Sequence, residues 1–192
     1  MGHTKKMRFA SIAGVGLLVL AGEGVAMAQT GISAGMALSN VIFTQQVGGI
    51  EADNFNLFVD RESLEDRDLA VSRLKLEDAT ITDLCMSAPI KLPGLGDRRF
   101  QMTVDGPNTT AHNLVIGAKE LNGTMTMTNP QIGVDARQLS DKAEPGAFGI
   151  SMTHLGATDQ MIYATSISAD QLTAAGGQIA VVKESELSLI HI

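Results

Sequence analysis

The sequence predicts an all-β protein, a layered antiparallel sheet of sandwich or roll-like form that follows an N-terminal signal helix. Three observations predict it. Glycine is abundant, 20 of 192 residues, which suits a chain that turns often between short strands. The extended stretches are rich in Thr and β-branched residues, and Thr124, Met125, Thr126, Met127 and Thr128 alternate strictly, the period of a strand with one apolar face. Helical pattern is scarce: only residues 63–70 and 136–142 have room for a turn or two.

At the amino terminus, Lys5, Lys6 and Arg8 form a basic patch, residues 9–21 carry no charge, and Ala26, Met27 and Ala28 supply the small residues of a signal-peptidase site. This order reads as a signal peptide over residues 1–28, with cleavage before Gln29. An uncleaved anchor is the rival reading. Against it, the uncharged run falls short of the roughly 20 residues that cross a bilayer as a helix, and Glu23 blocks its extension. With no Cys behind the run and no twin-Arg pair before it, the expected route is general secretion, to the medium or the cell envelope.

Residues 29–186 read as a single β-rich domain, long enough to bury a core of its own. Removing Lys5, Lys6, Arg8 and Glu23 with the signal leaves 11 basic and 20 acidic residues, a net charge of −9. Nucleic acid is therefore not an expected partner, because a polyanion binder needs a cationic face to release counterions. Aromatic residues make up 4%, with one Tyr and no Trp, too few for a platform that stacks sugars or bases.

In chain order, the strand expectations begin at residues 38–44, followed by 55–59, 71–76, 80–82 and 99–104. A hairpin is expected next: residues 113–121, a type I′ turn at Asn122 and Gly123, and the Thr/Met strand 124–128. Asn129 and Pro130 then turn the chain, residues 131–136 resume an extended course, and 150–152 and 179–182 complete the set. One short pattern recurs, an apolar residue with Ala two places on and a larger apolar residue three further: Ile50/Ala52/Phe55, Ile116/Ala118/Leu121, Val134/Ala136/Leu139 and Ile167/Ala169/Leu172. Without a fixed period it is no solenoid repeat, and it reads as a strand leaving the core at a corner. Residues 187–192 read as a non-native tail, since one frame of a common transposase-adapter sequence encodes the same six residues; the alternative is a short apolar strand.

Few residues suggest chemistry. Gly31, Ile32, Ser33, Ala34 and Gly35 fit the G-x-S-x-G nucleophile elbow, which makes Ser33 the one catalytic candidate. An elbow needs a core strand before it and a helix after it, and this pentapeptide starts just past the cleavage point. His112 and His154 each lack a second His, Cys or carboxylate within ligand spacing, so neither a metal nor a cofactor is expected and both read as surface or loop residues. Asp60, Glu62, Glu65, Asp66 and Asp68, interleaved with Arg61 and Arg67, lack the order of a calcium loop and read as a solvated face. Cys85, the single cysteine, is either buried as a small apolar residue or the partner of a cysteine lost from the carboxyl terminus.

Several of these stretches together resemble a family: Thr82, Asp83, Leu84 and Cys85; Pro93, Gly94, Leu95 and Gly96; Asn113 and Leu114; residues 132–136; and residues 145–149. They are similar to an actinobacterial family of exported proteins of unknown function over residues 34–186, with the T-D-L-C and P-G-L-G pair the most specific part. The resemblance implies a second Cys near the natural carboxyl terminus that would pair with Cys85, and a partner membrane protein at the envelope. Such proteins are at times labelled cholesterol esterases, yet residues 31–35 lie outside the shared motifs and no triad partner can be matched to this chain. The expected function is non-enzymatic binding or assembly outside the cytoplasm. The alternatives are a sterol or lipid ester hydrolase using Ser33, and a lipid carrier.

Overall fold

A computed structural model describes residues 41–64, 67–92 and 96–183. Eight strands form one antiparallel sheet: β1 Phe43–Leu64, β2 Arg67–Leu92, β3 Gly96–Val104, β4 Thr109–Thr128, β5 Gln131–Asp135, β6 Phe148–Ser168, β7 Gln171–Ala174 and β8 Gln178–Lys183, with one short helix, α1, at Ala136–Leu139. The all-β antiparallel expectation holds. Residues 1–28, expected to be a signal segment, Ser33 and residues 187–192 lie outside the described residues.

Four long strands close on themselves. β1 pairs with β2 and with β6, β4 pairs with β6, and β4 also pairs with β2 along residues 109–118. The ring β1–β2–β4–β6 thus leaves both edges of each strand occupied over part of its length, which removes the open edges a flat sheet would expose. Inside it lie Phe43, Val47, Phe55, Val104, Ile116 and Ile162, all nearly inaccessible. Burying a side chain of this size contributes about 1.5–3 kcal/mol, so the ring interior is where stability concentrates.

The sequence expectation of many short strands is corrected to a few long, bent ones. The bends have a common chemistry. Asn54 in β1, Asp83 in β2, Asn113 in β4 and Asp159 in β6 all adopt φ near 50°, the left-handed region that Asn and Asp tolerate better than other side chains. At each bend two outward residues separate two buried ones: Ala52 and Phe55, Ile81 and Leu84, Ala111 and Leu114, Ala157 and Gln160. Because neighbouring strands slip at the same level, the ladders keep their register, and the sheet folds along two rows. One row runs through Thr153–His154, Asp53–Asn54, Glu77–Asp78 and His112–Asn113; the other runs through Thr158–Asp159, Gly48–Gly49 and Thr82–Asp83. Side chains pin these corners: Asn54 Nδ2 donates to Glu77 Oε2 (2.6 Å), Asn113 Nδ2 to Asp170 Oδ2 (2.6 Å), and the Gly106 N–H to Asp83 Oδ1 (2.6 Å).

Other local expectations change as well. Asn122 and Gly123 do not turn a hairpin; they lie inside β4, where the register against β6 shifts between Asn122 and Thr124. Gly123 has φ +149°, and a Cβ there would collide with the Gln160 amide, so this glycine serves a bulge rather than a turn. Asn129 and Pro130 interrupt the chain without reversing it, because β4 ends opposite His154 and β5 continues along the same edge of β6 from Ser151. The helix expected over residues 63–70 is absent from the described part, where Ser63 pairs with Asp68 and Leu64 with Arg67 as strand ends. The helix expected over 136–142 is real but stops at Leu139, since Ser140 is extended (φ −158°) and leads the chain back toward β6.

Candidate functional site

The excursion between β5 and β6 builds one wall of a broad cleft. Asp135 caps α1 by accepting the Arg137 N–H at 2.9 Å and also takes the Gly146 N–H at 3.1 Å. Those two backbone donors, with the nearby Arg137 charge, hold its carboxyl below the usual carboxylate range. The excursion closes on itself where the Ala136 N–H donates to the Ala147 carbonyl (2.9 Å). Phe58 of β1 points away from the main core and is buried by this excursion, packing with Ala136, Ala143, Leu139 and Ala147. Gly149 lets the pieces approach, since a Cβ there would sit 2.7 Å from the Leu139 Cδ1.

Between this excursion and the outer face of β1, β2 and β4 lies a cleft of about 760 Å³. Its apolar floor is Phe58, Val115 and Leu139, and its cations are Arg73, Lys75, Arg137 and Lys142, opposed by Asp60 and Asp141. Arg73 is already engaged: its Nε lies 3.3 Å from Asp60 Oδ2, its NH2 lies 3.6 Å from Glu62 Oε2, and its NH1 donates to Ser166 Oγ at 2.9 Å. Gly117 admits that network, because a Cβ there would meet Ser166, Arg73 and Glu62 within 2.8 Å. Lys75 and Arg137 instead donate to backbone carbonyls, those of Leu139 (3.4 Å) and Ala143 (3.3 Å). Among the described residues, no carboxylate lies within ion-pair distance of Lys75, Arg137 or Lys142.

A second polar feature follows one of the corner rows. In register across β6, β1, β2 and β4 stand His154, Asp53, Asp78 and His112. His154 Nδ1 lies 2.8 Å from Asp53 Oδ1 and its Nε2 2.9 Å from Glu51 Oε2, while His112 Nδ1 lies 2.9 Å from Asp78 Oδ1. Carboxylates accept, so the form of His154 that makes both contacts is the one with both ring nitrogens donating, the imidazolium. Its pKa is raised, first by the Asp53 hydrogen bond and then by that of Glu51; His112 is raised chiefly by its hydrogen bond to Asp78. Through its contacts with Asp53 and Glu51, His154 of β6 clamps β1.

The residues singled out in the sequence fare unevenly. His112 and His154 are on the surface, as expected, but on strands rather than loops, and each has a carboxylate partner from another strand. Of the acidic cluster, Asp60 and Glu62 are half-buried partners of Arg73 rather than a wholly solvated face, and Arg61 meets Glu144 at 3.5 Å. Cys85 is buried in β2 beside Gln101, whose Nε2 lies 3.6 Å from its Sγ. The T-D-L-C stretch is a corner: Asp83 takes the left-handed conformation and exchanges hydrogen bonds with Gly106. Sequence reasoning missed the cleft, whose cations come from β2 and from the α1 excursion.

No protein of curated function matches the chain, and no solved structure matches it. A family model described as a family of unknown function, DUF6230, matches residues 39–186. That span takes in every described strand and both corner rows, and the chain therefore belongs to the DUF6230 family.

Proposed function

We propose that this protein is exported by the general secretory route and works outside the cytoplasm by binding rather than by catalysis, with the cleft beside α1 as its ligand site. The observation that carries the reading is the cleft itself. At about 760 Å³ it falls within the roughly 300–1,000 Å³ of small-molecule sites, and it joins an apolar floor to convergent cations. Export rests on the basic patch, uncharged run and small-residue site of residues 1–28. The family resemblance adds an actinobacterial source and an envelope membrane protein as partner.

A lipid carrier that holds an acyl chain inside the ring is the weaker reading. The apolar cavity between Phe43, Met86 and Ile167 measures about 20 Å³, room for about one water. Two measurements test the proposal. Amide shifts of the labelled full chain, titrated with a small-molecule extract of cell envelopes, are expected at Arg73, Lys75 and residues 136–142; shifts elsewhere alone would move the site. Ester hydrolysis by the purified chain that disappears in Ser33→Ala would replace the binding reading with the hydrolase one.

A further inference from the structure

Resting on the reading of the cleft as a binding site, we propose that its ligand is an acidic amphiphile whose carboxylate or phosphate headgroup is held by Lys75, Arg137 and Lys142, with its apolar part against Val115 and Leu139 above Phe58. The first reason is charge. The chain carries −7 overall, yet four cations and two carboxylates line this cleft. Arg73 is neutralised by Asp60 and Glu62, which leaves Lys75, Arg137 and Lys142 with no carboxylate within ion-pair distance among the described residues, the Arg137 charge acting on Asp135 only from farther off. They converge from elements distant in sequence, β2 and the α1 excursion, on one opening.

Donor capacity gives the second reason. An ammonium has three N–H donors and a guanidinium five. Lys75 has one long bond to the Leu139 carbonyl and Arg137 one to the Ala143 carbonyl, so several donors remain for a ligand's oxygens. Charge-assisted bonds to carboxylate or phosphate are about twice as strong as neutral ones, and a planar guanidinium can donate two parallel N–H bonds to either anion.

The floor decides between a bare anion and an amphiphile. Leu139 and Val115 are half-buried, and Phe58 lies 2% exposed beneath them. An inorganic anion would satisfy the cations and leave this surface wet, whereas an attached apolar group removes it from water at about 25 cal/mol per Å². Polyanions fit poorly, because Asp60, Glu62 and Asp141 stand among the cations and a long phosphate chain would run over them.

Calorimetric titration of the purified full chain with four probes tests the assignment: decanoate, decyl phosphate, decyl maltoside and inorganic phosphate. Decanoate or decyl phosphate is expected to bind at least tenfold more tightly than decyl maltoside, and decyl phosphate at least tenfold more tightly than inorganic phosphate. The two acids separate the carboxylate from the phosphate source. R137Q/K142Q, both positions exposed, is expected to erase the advantage over the maltoside, while K119Q, an exposed cation outside the cleft, keeps it. Equal binding of acid and maltoside overturns acid selectivity while leaving the cleft as a site. An advantage that survives in R137Q/K142Q, or no binding by any probe, overturns the ligand class; the cleft itself is judged separately by the envelope-extract shifts.

Discussion

From residue 109 to 118, β4 lies against β2 on one side, with β7 and then β6 on the other; from 120 to 128, among the described residues, it has β6 alone. The first half buries Thr109, Ala111, Leu114, Ile116 and Ala118, whereas every residue from 122 to 128 is exposed, Met125 and Met127 included. Yet the second half has the cleaner alternation of polar and apolar side chains. The difference teaches that a period-two pattern reports which face is apolar, while depth of burial comes from what the fold places behind that face. In the first half the ring closes behind it.

The largest effect that sharpens this contrast is a pair of truncations. Ile116→Ala is expected to lower unfolding stability by about 2–5 kcal/mol, as for a fully enclosed aliphatic side chain, whereas Met127→Ala costs less than about 1 kcal/mol; urea unfolding of both variants measures the gap. Equal losses would mean that the distal half is enclosed as well. Next in size is Gly123→Ala at the bulge between the two halves. Its φ lies where only glycine is comfortable and Gln160 occupies the Cβ position, so a loss of roughly 1–3 kcal/mol is expected by the same denaturation assay.

Smaller again is Asn113→Ala, at a corner of the enclosed half. It removes the bond to Asp170 and forces Ala into the left-handed region, costing about 1–2 kcal/mol, while Asn113→Gly restores the backbone freedom and recovers part of the loss. If Ala and Gly cost the same, left-handed backbone is not what the corner needs.

The smallest effect concerns pH, and its sign follows from the raised histidines. Because His112 and His154 bind a proton more tightly folded than unfolded, their contribution is complete below the unfolded value of 6.5 and fades as pH rises through the folded values. Stability is therefore expected to decline modestly on the alkaline side of neutrality, and the H112Q/H154Q variant to lack that slope. Asp135 works oppositely: with a lowered folded pKa, its support for the α1 excursion is lost as pH falls below about 3.8.

The sheet was legible because Thr, Val and Ile stretches mark strands wherever they pair, and residues 99–104, 150–152 and 179–182 all fall within β3, β6 and β8. Strand length was not legible. Asn and Asp signal turns in isolated sequence, and only the neighbouring strands show that Asn54, Asp83, Asn113 and Asp159 bend a continuing ladder. The recurring apolar/Ala/apolar pattern caught part of this: it falls on the Asn54 corner, on the β4 register shifts after Gly117, on the β5–α1 junction and on the β6–β7 junction. A wider signal was present, two polar residues between apolar ones, as at Ala111, His112, Asn113 and Leu114. The cleft was illegible because Lys75 and Arg137 meet only after β5 has run along β6 and carried α1 to Phe58. His112 and His154 were likewise separate until register set each beside an aspartate.

Hydrogen exchange along β4, read amide by amide by NMR, tests most directly whether β2 and β4 close the ring. Amides at residues 109–112 and 115–118 are expected to be protected without a break, because partners stand on both sides, whereas from 120 to 128 only the amides facing β6 are protected, in alternation. Alternating protection along the whole of β4 would contradict closure and leave β2 and β4 as separate edges.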